Sequence, residues 1–269
     1  MNTNFATEEN LLSSFDGGVL RILLNRPERK NSFTDQMVLD LVALVEAAGH
    51  NSDIRVIHLS AVGQDFCSGF DLGERQQSTS KPVMGSIQRR METHVNRLIQ
   101  AMCFVQKPIV VTARGWVIGL GLGLLLAADF AIVESDATLW APFTDLGFTP
   151  DSGVSFMLPA TIGSVRARRM LLLAEKVSGT LAAEWGMVHE SVAADALDQT
   201  SNDLVAQLSG AATIAIGQSK KLLHLATEST LAAQLAAEGW AMELTSRSDD
   251  FKENVVARRE KRRPRFTGT

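Results

Sequence analysis

The order of local patterns constrains this chain most. Through about residue 135, short apolar runs alternate with segments of helical spacing; beyond about residue 160 only helical spacing remains. Residues 19–25 (VLRILLN), 54–61 (IRVIHLSA), 108–115 (PIVVTARG) and 130–135 (FAIVES) read as strands, being short and rich in β-branched and apolar side chains. Residues 34–49 carry Met37, Val38, Leu41, Val42, Leu44, Val45 and Ala48 at the spacing of a helix face, with Thr34 as cap and Gly49 as stop. One long helix is predicted over 84–105, ending ahead of Pro108, and a buried one over 119–129, entered through a glycine-rich turn. Further helices are predicted over 164–174, 180–186, 193–208, 215–226, 230–247 and 249–261. Strands first and helices last indicate an α/β core followed by an all-helical region. No low-complexity linker or internal repeat separates the two, and the boundary falls near residue 200.

A chain of 269 residues can bury a full core. Its net charge of −4 argues against a nucleic-acid partner. The exception is local: RREKRRPRF, residues 258–266, carries six basic residues and one acidic one. Such a stretch is a solvated end, or it holds a phosphorylated ligand, and both readings stay open. Two cysteines, Cys67 and Cys103, and five scattered histidines give neither a disulfide framework nor a zinc-ligand spacing. The N-terminus lacks a signal pattern, and the longest apolar run, residues 116–128, falls short of the about 20 residues that a bilayer span needs. A cytoplasmic protein without metal or membrane partner is expected.

Three stretches can carry chemistry. GLGLGLL, from Gly119, follows the GxGxG spacing, with Leu124 where a dinucleotide fingerprint has its third glycine. Its glycines serve close helix–strand packing, or they let an oxyanion approach the leading amides of a helix. GQDFCSGFDLGE, residues 63–74, is a tight loop after a strand, or a second backbone donor placed just after Gly69. Within it, Cys67 has no histidine nearby in sequence, so a buried structural cysteine is the commoner role. Asp71 is a base or a helix cap. WAPFTDLGFTPDSG, residues 140–153, holds Asp145 and Asp151 in an otherwise apolar run. Asp before Ser-Gly, with Pro150 ahead of it, forms turns; the alternative is that one carboxyl moves a proton.

Together LNRPERKNSF, DFCSGFDL, KPIVVTARGWVIGLGLGLLLAADFAI, LGFTPDSG and AAEWGMVHESV resemble the crotonase superfamily, the enoyl-CoA hydratase/isomerase family, over roughly residues 19–266. The resemblance implies an α/β fold: a crotonase-like ββα superhelix core over residues 1–200 and a helical C-terminal trimerisation region over 201–269. It implies a homotrimer, or a hexamer built as a dimer of trimers. It implies an acyl-CoA substrate, with coenzyme A entering only as part of that substrate and no further cofactor. The backbone N–H groups of Phe70 and Leu120 would then hold the thioester oxygen while an enolate forms. A preorganised donor of this kind is worth about 2.7–4 kcal/mol. Contacts to the CoA portion carry over to Arg29, Lys30, Ser32, Ser68, Phe70, Asp71 and Leu72, with Lys261 reaching the CoA phosphates. Gly119, Gly121, Gly123 and Phe143 are expected along the substrate path.

The chain departs from the family at the point that matters most. Typical hydratases carry two glutamates, at the positions held here by Gly123 and by Phe143, after Pro142. Hydration needs one group to deprotonate water and one to deliver a proton to carbon, and neither residue can do either. Asp151 falls where isomerase-like members carry a catalytic aspartate, while Asp145 suits a turn. The expected reaction is therefore a double-bond shift in an unsaturated acyl-CoA, with Asp151 moving the proton and Phe143 and Phe148 drying the cleft. Hydration, thioester hydrolysis, decarboxylation and a catalytically weak CoA-binding homologue are the alternatives.

Overall fold

A computed structural model of the chain describes residues 9–71, 73 and 83–269. Among these residues the strands are β1 (Leu11–Asp16), β2 (Val19–Leu24), β3 (Val56–Ala61), β4 (Ile109–Ala113), β5 (Trp116–Ile118), β6 (Phe130–Glu134), β7 (Thr138–Trp140), β8 (Val177–Ser178) and β9 (Glu190–Val192). The helices are α1 (Asp35–His50), α2 (Ser86–Thr93), α3 (Val95–Phe104), α4 (Leu120–Ala127), α5 (Val154–Leu172), α6 (Gly179–Glu184), α7 (Leu197–Ser209), α8 (Thr213–Ala226), α9 (Leu231–Thr245) and α10 (Asp249–Arg259). The main sheet runs β1-β2-β3-β4-β6-β9, and a small second sheet runs β5-β7-β8. Only β1 is antiparallel within the main sheet, joined to β2 through Gly17 and Gly18, both at positive φ. The remaining pairs are parallel, as helical crossovers require.

The two-residue period of the strands sorts the core. Leu20, Ile22 and Leu24 of β2, Ile57 and Leu59 of β3, and Ile109 and Val111 of β4 enter the main core with α1 and α4. Their alternates Val19, Val56 and Val110 face the other way, under Val205 and Leu208 of α7. Thr34 caps α1 as expected, accepting from the Met37 amide at 3.1 Å.

Two sequence expectations need correction. The single helix over 84–105 is broken at His94 (φ −119°, ψ −87°) into α2 and α3. Thr93 turns its hydroxyl back onto the carbonyls of Arg89 and Arg90, a bond that competes with the helix ladder. The helix expected from residue 164 is the second half of α5; Gly163, at φ 78° and ψ 158°, separates it from a first half that contains Pro159. Strands β1, β5, β7, β8 and β9 were not expected either, and the last four are too short to show a period.

One buried ion pair ties the helical region to the sheet. Lys220 of α8, with its side chain 4% exposed, donates to Asp129 Oδ2 at 2.7 Å and to the Met102 carbonyl at 2.8 Å. Asp129 also accepts from the Ile109 amide at 2.8 Å. Burial holds the Lys220 pKa below the usual lysine value, and Asp129 acts against that shift. No helix among the described residues is long and apolar enough to cross a membrane. Removing the carboxylate leaves the ammonium buried and uncompensated, so Asp129→Ala is expected to lower the unfolding free energy by about 3–5 kcal/mol. Urea denaturation checks this; a loss below about 1 kcal/mol would mean that the pair does not anchor α8.

Candidate active site

Two loops meet backbone to backbone at one end of the core. One leaves β3 and covers residues 62–71; the other joins β4 to α4 through β5. Phe66 N donates to Arg114 O at 2.8 Å, Cys67 N to Trp116 O at 2.9 Å, and Ile118 N to Cys67 O at 2.9 Å. The pairing makes a parallel bridge between Cys67 and Val117. Glycine is required where the loops touch. Gly69 (φ 97°) and Gly119 (φ 53°) both take a positive φ, which a side chain would strain.

Cys67 sits inside this seam. Its sulfur accepts from the Gly69 amide at 3.3 Å and also receives a backbone hydrogen bond from Gly121. Complete burial pushes the thiol up to about 12, against the opposing effect of those two amides. The sulfur is therefore an acceptor that orients the loops, not a nucleophile.

Leu120 opens α4, and no side chain caps that helix. The leading amides of a helix lack intrahelical acceptors and carry the positive end of its dipole. Leu120 and Phe70 both line a cavity of about 90 Å³, together with Ser68, Gly69 and Gly119. The structure thus brings the two expected backbone donors to one space. Gly121 and Gly123, expected along the same path, do not line it. A Cβ on Gly121 would lie 2.8 Å from the Cys67 Cβ, and one on Gly123 would lie 2.8 Å from both the Cβ and the carbonyl oxygen of Ser152. Both glycines serve close packing behind the cavity.

The far wall is apolar. Phe143 and Phe148 meet edge to face, with centroids 5.8 Å apart and planes at 78°, and Leu146 stands beside them. Asp151 completes the wall and is the only titratable side chain among the described lining residues. It also makes a turn: Val154 N donates to Asp151 O at 3.2 Å, across Ser152 (φ 54°) and Gly153 (φ 73°). Ser152 is buried in a left-handed conformation that a serine seldom adopts, and its hydroxyl donates to Asp151 Oδ1 at 2.7 Å. Turn and cavity roles coincide in Asp151, with Ser152 steering the carboxyl. Sequence reasoning missed Ser152; its only signal was its place in DSG. Asp145 is exposed and outside the cavity.

The remaining candidates surround the seam. Ser68 N donates to Lys30 O at 2.9 Å, and Ser68 Oγ to Arg29 O at 3.3 Å, so the exposed Arg29 and Lys30 stand next to the donor loop. Lys30 also lies over the Trp116 ring, 5.7 Å from its centroid. Ser32 is buried, with its hydroxyl 3.5 Å from Asp71 Oδ2. Asp71 pairs with Arg26 at 3.1 Å, a brace that the sequence did not reveal. Leu72 lies outside the described residues. Lys261 is exposed just beyond α10 and does not line the cavity. A wider cleft of about 600 Å³ opens between α1, α3 and α8, but none of the candidate site residues reaches it. Among the described residues no cluster of His, Cys, Asp and Glu is suited to a metal ion.

Comparison with known proteins gives a consistent set of relatives. The enoyl-CoA hydratase/isomerase family profile matches residues 14–269. The chain is 34% identical over 260 residues to the 1,2-epoxyphenylacetyl-CoA isomerase of Escherichia coli (strain K12), covering 97% of this chain and 99% of that protein. It is 29% identical over 261 residues to a trans-2-decenoyl acyl-carrier-protein isomerase of Streptococcus mutans, covering 96% and 98%. The crystal structure of an enoyl-CoA hydratase from Bacillus anthracis aligns with a TM-score of 0.90 at 25% identity, covering 97% of this chain and 100% of that one.

The packing at Gly123 yields a test. Its neighbour is backbone as well as side chain, so it cannot step aside cheaply. Gly123→Ala is expected to cost about 1–3 kcal/mol of stability, measured by chemical denaturation. Gly123→Glu is expected to gain no hydration of a 2-enoyl-CoA, because Ser152 fills the space in which a carboxylate would stand. A stable, hydrating Gly123→Glu variant would contradict this geometry.

Proposed function

The chain belongs to the enoyl-CoA hydratase/isomerase family, and from that premise we propose that it is an acyl-CoA isomerase, shifting a double bond of an unsaturated acyl-CoA. The observation that carries this is the carboxyl of Asp151, the one carboxyl among the described residues of the lining shared by Phe70 and Leu120. An isomerisation needs one proton carrier. The carboxylate takes a proton from carbon, and the freed electron pair runs through the conjugated system onto the thioester oxygen. The N–H groups of Phe70 and Leu120 hold that oxygen while it is negative. The proton then returns to a different carbon, and the electrons move back. No water enters the balance.

Hydration would require a second group to activate water, and one of the positions where hydratases carry a glutamate is held here by the ring of Phe143. The paired rings of Phe143 and Phe148 favour exclusion of water, which strengthens the donors' hold on developing charge. Two of the relatives are named as isomerases, and hydratases share the scaffold, so it is the lining of this cavity that supports the isomerase reading. The exposed Arg29 and Lys30 beside Ser68 suit the anionic portion of CoA, with Lys261 as a further cation from the basic tail.

Asp151→Asn keeps the shape and removes the base. It is expected to lower kcat on a 3-enoyl-CoA by about 10²–10⁴-fold, with KM little changed. Exchange of the substrate's α-hydrogen with solvent deuterium should stop in parallel. Turnover within about threefold of the parent would end the assignment. A protein that only binds acyl-CoA would show no exchange even with Asp151 intact.

We further assign residues 201–269 to assembly as a trimer or a pair of trimers. Helix α9 buries none of its side chains within the chain, and Leu231, Leu235, Trp240 and Met242 stand exposed along it. Light scattering after size exclusion should give a trimer or hexamer, reduced to smaller species by Trp240→Glu. A parent chain that runs as a monomer would refute the assignment.

A further inference from the structure

The opposite face of the main sheet carries polar chemistry that the thioester cavity does not use. Arg21 of β2 and His58 of β3 are register partners, and Thr112 follows on β4. Arg21 Nη1 lies 2.8 Å from His58 Nδ1, and His58 Nε2 lies 2.8 Å from Thr112 Oγ1. A guanidinium can only donate, so Nδ1 accepts and Nε2 carries the hydrogen. Thr112 Oγ1 accepts that hydrogen, which leaves the threonine's own hydroxyl hydrogen to point elsewhere. Burial, reinforced by the Arg21 charge and opposed by Asp198, lowers the His58 pKa to about 4, so the ring is neutral.

A cleft of about 400 Å³ opens over this chain, between the sheet and α7. Its cations are Arg21 and Arg114; its one carboxylate, Asp198, is paired with Arg114 at 2.6 Å. Arg21 has no carboxylate partner among the described ion pairs, and its one bond to a side chain is to His58. Ser201, from α7, lines the same cleft. It is 1% exposed, and its hydroxyl has no hydrogen-bond partner. A buried hydroxyl left unpaired is costly and rare, so its presence calls for a ligand or for an explanation.

We propose that this cleft is a binding site for a small tetrahedral oxyanion of the phosphate class, held by Arg21 and the hydroxyls of Ser201 and Thr112. The charge is right: once Arg114 and Asp198 cancel, Arg21 remains as a positive group free of any carboxylate. The geometry is right as well. The donors reach one cleft from two strands and a helix, so a bound group can be held from more than one side, as an ion with several oxygens requires. The neutral His58 anchors one corner of the guanidinium and leaves its other N–H groups available. The lining shares no residue with the thioester cavity, so the site is separate from it. Gly63 and Phe66, at the base of the loop that ends in Phe70, do border the cleft, so the bound ion would sit beneath that loop.

Calorimetric titration of the full chain with inorganic phosphate, at constant ionic strength and with chloride as the control, tests this. One saturable site per chain is expected, weakened about tenfold or more by Arg21→Gln and several-fold by Ser201→Ala. Ser201→Ala has a second signature. Without phosphate it should raise the melting temperature, because it removes an unpaired buried hydroxyl; with phosphate it should show a smaller rise than the parent. Saturating coenzyme A should not displace the ion. The proposal is overturned if no saturation occurs by about 10 mM phosphate, or if Ser201→Ala binds as the parent does. Displacement by coenzyme A would also overturn it, since the ion would then occupy the nucleotide path. Should Arg21→Gln fail to fold, Ser201→Ala decides alone.

Discussion

The short parallel seam between residues 66–67 and 114–118 is the constraint on which the rest of the site depends. Three backbone hydrogen bonds define it, and both ends are fastened by other means. At one end Asp65 Oδ1 accepts from the Trp116 amide at 2.9 Å. There Gly115, at φ 57°, brings its α-carbon so close that a Cβ would stand 2.2 Å from the Gln64 carbonyl oxygen. At the other end the Cys67 sulfur gathers the amides of Gly69 and Gly121. The seam sets the distance between two loops that come from different strands. Phe70 and Leu120 therefore border one cavity because main-chain bonds on either side of them are already made. Backbone groups fixed in this way need no reorganisation when charge develops nearby, which is where preorganised donors gain their strength.

The opposite wall shows how a turn can also place a carboxyl in a cavity. Proline, aspartate, serine and glycine in succession are what a turn needs, and the turn is there. Its left-handed Ser152 does two further things. It aims the Asp151 carboxyl by a direct hydrogen bond, and it occupies the space beside Gly123. The absence of a carboxylate at residue 123 and the steering of one at residue 151 are thus two sides of one packing solution. Exchange of one acid position for the other requires this turn to move, so it cannot come from a single side-chain replacement.

The sequence was legible where a period or a motif had room to repeat. The strands β2, β3, β4 and β6 and the helix α1 lie close to where apolar spacing set them, and α6 to α10 fall within a few residues of expectation. The two loops that meet at the seam could be read because glycine marks each close approach. What stayed hidden was set by tertiary contact. Strands of two or three residues have no period, and the break at His94 comes from a hydroxyl turned back on its own helix. The Arg26–Asp71 brace joins residues far apart in sequence, and the conformation of Ser152 is imposed by its surroundings. Arg21, His58 and Thr112 stand in strands that are otherwise mostly apolar, and only the pairing of the sheet brings them into contact.

The Cys67 sulfur has one more consequence. An α,β-unsaturated thioester is an electrophile, and a thiolate beside it would add to its β-carbon and become permanently alkylated. Here the sulfur belongs to the very residue that holds the two loops together, yet burial leaves the thiol protonated at any physiological pH. A catalyst of the kind proposed above, which would handle Michael acceptors, can thus keep a cysteine at the heart of its framework without being inactivated by its own turnover.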